Sequence, residues 1–162
     1  MCGTGDEANY SFDTMNKLRY THCVIQETLR LYPPVPENIR YAKHEDILPD
    51  GTFVPAGATI DLSYRAMGRS TEIWGKDANV FRPERFMGEK EPSSFLYPMF
   101  HAGPRTCIGK PLAMMNIKMV LSMLLTSGIQ FEDRARHSGD IQLSATMSMK
   151  GSFPVQLSRN DQ

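Results

Sequence analysis

The sequence predicts an α+β fold, mainly α, and three observations carry that reading. A helical pattern with a stop signal runs from residue 14 to 32, and a second one, longer and more apolar, follows Gly109. Between and after them lie short β-patterned runs separated by turn dipeptides, while residues 65–98 carry glycine, proline and charge with no clear period.

In chain order, residues 1–12 read as loop, and Asp13 is expected to cap a helix through "TMNKLRYTHCVIQETLRLY". Pro33 and Pro34 end it, because neither supplies an amide donor and each disfavours helix in the residue before it. "ILPDGTFV" then reads as two short strands about the Asp50-Gly51 turn, and "GATIDLSY" as a further strand with alternating faces. Residues 65–98 read as short helical turns in a meandering loop, the kind of long connection that is often functional. After Gly109, Pro111 suits a first helical turn and Gly128 the stop. Lys118, Ser122 and Thr126 form one narrow polar stripe on a helix otherwise apolar on nearly every face, so this helix is expected to be buried. "IQFED", "IQLSATMSM" and "SFPVQLS" read as strands, the last two separated by Lys150-Gly151.

At 162 residues the chain is long enough for one domain that buries about 70% of its unfolded surface. Eighteen Lys+Arg balance eighteen Asp+Glu, so bulk charge advertises neither nucleic acid nor an acidic membrane as a partner. Cys2, Cys23 and Cys107 are too few and too scattered for a disulfide framework and are read singly. No stretch has the roughly 20 apolar residues of a membrane span, and the opening resembles neither a signal nor a transit peptide.

The chemistry concentrates in "FHAGPRTCIG", Phe100 to Gly109. A cysteine just before a helix start faces free N–H groups and the positive end of the helix dipole, which favour thiolate by up to ~2 kcal/mol. That makes the thiol reactive, whereas a bound metal would deprotonate it outright. Zinc needs three or four protein ligands, and only His101 lies near in sequence; haem needs a single one, and a thiolate ligand promotes O–O cleavage. The alternative for Cys107 is a buried structural cysteine.

Phe100, Gly103, Arg105, Cys107 and Gly109 stand at the offsets of the haem-ligand signature of the cytochromes P-450, the haem-thiolate monooxygenases, and the chain resembles that family. Five such matches arise by chance on the order of once in ten thousand sequences of this length. The resemblance implies haem b as cofactor, with Cys107 as its metal ligand. Gly103 allows the turn, Gly109 lets backbone approach the flat macrocycle, and Arg105 holds a propionate. Phe100 shields the sulfur and the amides after Cys107 hydrogen-bond it. Arg40 is expected to reach the second propionate. His101 reads as a polar neighbour of the haem edge or a satisfied loop histidine rather than an iron ligand.

"ETLR" places Glu27 and Arg30 three apart on one helix face, a spacing that alone also fits solvated surface charges. It resembles the family's E-x-x-R helix, followed by "LYPPVP", and "FRPERF" supplies the second arginine, Arg85. The resemblance implies that Glu27, Arg30 and Arg85 form a buried structural network, with Arg82 and Glu84 facing solvent. It also implies that the chain corresponds to the C-terminal part of the cytochrome P-450 fold: E-x-x-R helix, small β-sheets, meander, cysteine-ligand loop, long buried helix and C-terminal β-hairpin. Residues 1–162 are then the haem-ligand part of one such domain, resembling only the last third of a family member. No part of the chain resembles the family's acid-threonine distal helix, W-x-x-x-R helix or N-terminal membrane anchor. Taken alone, the chain would expose a large apolar patch on the helix after Cys107.

"MGRSTEIWGKDANVFRPERF" and "FHAGPRTCIGK" are most similar to the plant, fungal and protist branch that hydroxylates fatty acids near their methyl end. Val35 to Ile39, Val35 and Ile39 among them, and Thr146 to Met149, with Met147, are expected by resemblance to line the substrate pocket; for Met147 and Met149 ordinary core packing stands as the equal alternative. The implied partners are an NADPH-dependent reductase as electron donor and a small apolar substrate, with no nucleic acid. The implied location of the full-length protein is the cytoplasmic face of the endoplasmic reticulum membrane, held there by an anchor outside this sequence, the chain alone being soluble. A noncatalytic haem-binding or partner-binding remnant is the competing expectation.

Overall fold

A computed structural model describes residues 11–88, 91–133, 140–144, 146–151 and 154–159. The first expected helix is two: α1, Phe12–Lys17, and α2, Arg19–Leu31, separated where Leu18 leaves helical geometry at ψ 71°. Ser11 rather than Asp13 is the cap, its hydroxyl accepting from the Thr14 amide at 3.2 Å, and Asp13 sits in the first turn, where its charge suits the dipole. Helix α2 ends as the Pro33-Pro34 pair requires, with Tyr32 outside helical geometry at φ −132°, ψ 65°.

Strand β1 (Glu37–Tyr41) pairs antiparallel with β4 (Thr59–Ser63), in register from Glu37 opposite Ser63 to Tyr41 opposite Thr59. Between them β2 (Asp46–Ile47) and β3 (Phe53–Val54) close over the Asp50-Gly51 turn, where Asp50 accepts from the Thr52 amide at 2.9 Å. The meander that follows holds α3 (Tyr64–Arg69), α4 (Thr71–Trp74) and a 3₁₀ turn, Pro83–Phe86. Helix α5, Lys110–Thr126, carries Pro111 in its first turn, and Gly128 follows it at φ 70°.

In the tail β5 (Ile129–Asp133) pairs with β8 (Val155–Arg159). The run "IQLSATMSM" is not one strand but a hairpin, β6 (Ile141–Leu143) against β7 (Met147–Met149), with Ser144 Oγ accepting from the Thr146 amide. Polar turn-forming serine and threonine in its middle outweigh its strand propensity.

The core sits where α2 meets the meander. Cys23, Tyr64, Phe86, Tyr97 and Met99 are buried together, with Trp74 and Phe100 packed against them. Tyr97 anchors this cluster by donating from its buried hydroxyl to the Gln26 carbonyl at 2.7 Å. Gly68 lets α3 lie directly on α2: a Cβ there would stand 2.2 Å from the Arg30 carbonyl oxygen.

Helix α5 departs from the expectation of all-round burial. The face of the polar stripe packs toward α1 and α2, with Lys118 buried and Ser122 Oγ 3.8 Å from Met15 Sδ. Leu112, Val120, Met123 and Leu125 are exposed, and Ile108, just ahead of the helix, is 99% exposed. The packing partners available among the described residues, α1 and α2, cover one side of the helix only. Among the described residues no helix is long and apolar enough to cross a membrane.

Candidate functional site

Two features accompany the cysteine loop: a buried charge cluster on α2 and an open cleft that the loop helps to line. The cluster begins with Glu27 and Arg30, one turn apart on α2 and fully buried. Arg30 donates from Nε to Glu27 Oε2 at 2.6 Å and from Nη2 to Oε1 at 2.8 Å. Its remaining donors cross to the meander, reaching the carbonyls of Gly68, Ala78 (2.6 Å) and Val80 (3.2 Å), and its guanidinium stacks 5.2 Å from the Trp74 ring. Glu27 Oε1 also accepts from the Arg82 amide at 2.7 Å and from Arg85 Nε at 3.1 Å. Burial alone would push the Glu27 carboxyl up, but the hydrogen bonds from Arg30, the Arg82 amide and Arg85 outweigh it and hold the group below its usual range. Arg85 extends the cluster outward to Asp77 Oδ2 at 3.3 Å.

Arg82 and Glu84 lie on the surface, yet each is engaged. Arg82 pairs with Asp77 at 2.9 Å, and Glu84 accepts from the Tyr20 hydroxyl at 2.9 Å. A solvent-facing side chain and a structural backbone contact thus coexist at position 82.

The cysteine loop starts at Phe100, which packs against the apolar core of Cys23, Tyr64, Phe86, Tyr97 and Met99. Two residues take the left-handed region, His101 at φ 63° and Gly103 at φ 66°. Glycine accommodates that geometry freely; histidine does so against steric resistance, steadied by its amide donating to the Pro98 carbonyl at 2.8 Å and its ring meeting Tyr64 edge-on at 5.8 Å. The Cys107 amide donates to the Phe100 carbonyl at 2.8 Å, closing the loop into a compact coil that ends at α5. Cys107 is half-buried, and the next two amides, of Ile108 and Gly109, have no acceptor among the described residues. A Cβ on Gly109 would touch Cys107 Sγ at 3.7 Å. The Phe100 ring is half-buried, with Lys110 Nζ 6.0 Å from its centroid. Among the described residues no group of three or more His, Cys, Asp or Glu side chains could hold a metal ion.

Beside the loop opens a cleft of about 300 Å³. Its polar lining is Asn38, Arg40, Tyr64 and Arg105, with no carboxylate; Leu62, Met67 and Phe95 are among its apolar walls. Arg105 makes no hydrogen bond or ion pair among the described residues. Arg40 donates to Asn38 Oδ1 and to the Ile39 carbonyl. The sequence thus points to both cleft arginines. Asn38 and Tyr64 escape it, because neither belongs to a motif and their meeting is made by the β1–β4 pairing.

A second cleft of about 310 Å³ lies between the end of α2 and the tail hairpin, lined by Tyr32, Pro34, Ile141, Met147 and Met149. The Met147 amide donates to the Pro34 carbonyl at 2.7 Å, which docks β7 on the segment after α2. Met149 is exposed rather than part of the core. Val35 and Ile39 are exposed and line neither cleft; Ile39 points away from the face shared by Asn38 and Arg40, as strand alternation requires.

Comparison with known proteins identifies the family. The family model described as Cytochrome P450 matches residues 3–141. The chain is 36% identical over 173 residues to Cytochrome P450 94A2 of Vicia sativa, covering 96% of this chain and 32% of that protein. It is 40% identical over 157 residues to Cytochrome P450 CYP94D109 of Paris polyphylla, at 94% and 31% coverage. With Cytochrome P450 704B1 of Arabidopsis thaliana it shares 37% identity over 152 residues, at 92% and 29%. The chain spans about a third of the length of these curated relatives. A glutamate–arginine pair locked to a meander arginine, and a lone cysteine at the head of a long helix, occur here within a match that runs through most of the sequence: the chain belongs to the cytochrome P450 family.

Proposed function

We propose that this chain carries the thiolate side of a haem monooxygenase, with Cys107 as the single protein ligand to iron and a fatty acid as the apolar substrate. The carrying observation is the loop of Cys107: the cysteine is half-buried at the head of a 17-residue helix, and its loop contributes Arg105 to a cleft that is lined by two arginines and no carboxylate. That donor set fits haem: a soft ligand for iron, apolar walls for a flat macrocycle, and cations for its two carboxylates. When bound, thiolate-ligated haem supplies the activation of molecular oxygen, for the overall reaction R–H + O₂ + 2e⁻ + 2H⁺ → R–OH + H₂O.

The chain's own residues do the holding. The free amides of Ile108 and Gly109 are available to stabilise charge on the sulfur, and Phe100 limits water beside it. Arg40 and Arg105 pair the carboxylates. The Glu27–Arg30–Arg85 cluster fixes the meander on which the cysteine loop rests. The docked hairpin brings Met147 to the segment that holds Val35 and Ile39, the proposed border of the substrate site. The fatty-acid assignment rests on the likeness of the meander and cysteine-loop sequences to the fatty-acid-hydroxylating branch. By the same likeness the whole protein takes electrons from an NADPH-dependent reductase at the cytoplasmic face of the endoplasmic reticulum, and residues 1–162 form the haem-ligand part of one domain whose distal helix lies elsewhere in the protein.

A second reading, a noncatalytic haem-binding or partner-binding module, is favoured by the exposed apolar residues Ile108 and Leu112 at the start of α5. The gene product expressed with haem and reduced under carbon monoxide is expected to show a strongly red-shifted Soret band that Cys107→Ser abolishes. A colourless product refutes the haem assignment. Hydroxylated fatty acid formed with reductase and NADPH refutes the noncatalytic reading, and a coloured protein that forms none upholds it.

A further inference from the structure

Resting on the haem reading above, we propose that Tyr64 is a further cofactor-binding residue, its hydroxyl donating to a haem carboxylate, and that Asn38 is the positioning residue that leaves the Tyr64 proton free for that role.

The direction of each hydrogen bond follows from donor chemistry. Asn38 and Arg40 are two apart on β1 and share a face. A guanidinium has donors only, so the side of the Asn38 amide that meets Arg40 must be its oxygen. The amide nitrogen is thereby turned to the Tyr64 oxygen and donates to it. Tyr64 is then an acceptor toward Asn38, and its own O–H has no acceptor among the described residues. The residue is 3% exposed, and a buried hydroxyl donor rarely stays unpaired. It lines the cleft with Arg40 and Arg105, where no carboxylate is present to take the proton. His101 meets the Tyr64 ring edge-on at 5.8 Å, so the loop that carries Cys107 also holds the phenol in place. Three donors of two chemical kinds then converge on one cleft: the two guanidiniums and a phenol whose lone-pair side is already occupied. The matching ligand group is a carboxylate on the edge of a flat apolar body.

The test uses the haem-loaded gene product and the rate at which haem is lost to an excess of apomyoglobin. Tyr64→Phe keeps the ring and its packing on His101 and removes only the hydroxyl; it is expected to lose haem about tenfold faster than the wild type. Asn38→Asp offers acceptors to both neighbours and draws the Tyr64 proton away from the cleft, so it should accelerate loss by a similar factor, and Tyr64→Phe added to it should change little further. With haem whose two carboxylates are methyl esters, the wild type and Tyr64→Phe should agree within about twofold, since the charged target is gone. A Tyr64→Phe rate equal to that of the wild type on ordinary haem overturns the inference while leaving Cys107 ligation intact. The same holds for a tenfold difference that persists with the diester, the mark of a purely structural effect. If Tyr64→Phe takes up no ordinary haem, its uptake of the diester decides: uptake equal to that of the wild type upholds the inference, and failure to take up either haem, the mark of a structural effect, overturns it. A wild type that binds no haem overturns the inference together with the reading it rests on.

Discussion

Arg30→Lys keeps a positive charge at the centre of the buried cluster and removes the fork that fills it. Arg30 makes five hydrogen bonds: two to the Glu27 carboxylate and one each to the carbonyls of Gly68, Ala78 and Val80. Glu27 Oε1 and the Val80 carbonyl keep donors from Arg82 and Arg85, whereas Glu27 Oε2 and the Gly68 and Ala78 carbonyls depend on Arg30 alone, and the three donors of an ammonium, clustered on one atom, do not span the reach of the fork. Each of these three acceptors left unpaired costs about 1–3 kcal/mol, which places the substitution at a few kcal/mol. A domain is stable by only about 5–15 kcal/mol. Arg85→Lys supplies the comparison: it too loses a buried bond to Glu27 Oε1, but that oxygen keeps the Arg30 and Arg82 donors and the Asp77 carboxylate is partly exposed, so a smaller loss is expected. Urea denaturation followed by far-ultraviolet circular dichroism, together with haem content, reads both variants. Arg30→Lys should lower the midpoint several times more than Arg85→Lys. Arg30→Ala and Glu27→Ala, which strand a buried charge at about 3–5 kcal/mol, should abolish haem incorporation. An Arg30→Lys protein with full haem and a midpoint matching that of Arg85→Lys would show that charge alone, rather than the forked geometry, holds the meander.

Gly68→Ala adds only a methyl group, but that group meets backbone, the Arg30 carbonyl oxygen at 2.2 Å, so α3 must move off α2. A loss of about 3 kcal/mol is expected, read as a lower melting temperature, and a neutral result would refute the close approach of the two helices. Acid should also act through the cluster. Because the folded Glu27 carboxyl lies below its ordinary value, its stabilisation is complete above the unfolded carboxylate range, near pH ~4.3, and is lost as pH falls through the folded value. The urea midpoint should therefore fall steeply below about pH 4, and Glu27→Gln should lower it at neutral pH while flattening the acid limb. A Glu27→Gln protein with an unchanged acid limb would assign the loss to other carboxylates.

What could be read from the sequence divides along the range of the interactions. The E-x-x-R pair is local, three residues apart on one helix, and the cysteine loop is a contiguous stretch whose left-handed turn needs Gly103. Proline positions set the end of α2 and the start of α5 for the same local reason. The split at Leu18, and the hairpin inside "IQLSATMSM", fall on residues whose local preferences are weak, so turn and tertiary contacts decide. Gly68, Asn38 and Tyr64 are single residues in runs without a motif; each acquires its role from a partner 26 or more positions away.

Helix α5 shows most directly where periodicity stops informing. A polar stripe on an apolar helix marks two distinguishable sides, but it does not say which side the rest of the chain will cover. Here α1 and α2 cover the side bearing Lys118 and Ser122. Burial holds the Lys118 ammonium below the usual lysine value, with Glu91 pulling the other way, while Leu112 and Met123 remain exposed. Apolar burial alone favours the opposite arrangement, since each Leu or Met turned inward would contribute about 1.5–3 kcal/mol. The helix is held at its start by the cysteine loop. Its first residue continues the cysteine loop, the Lys110 amide donating to the Cys107 carbonyl at 3.3 Å, and the Lys110 side chain reaches Glu91 at 3.3 Å. Ser127 closes the last turn onto the carbonyls of Met123 and Leu124 before β5 begins. The start of the helix is thereby tied to the loop that carries Cys107, while Leu112 and Met123 are left exposed among the described residues.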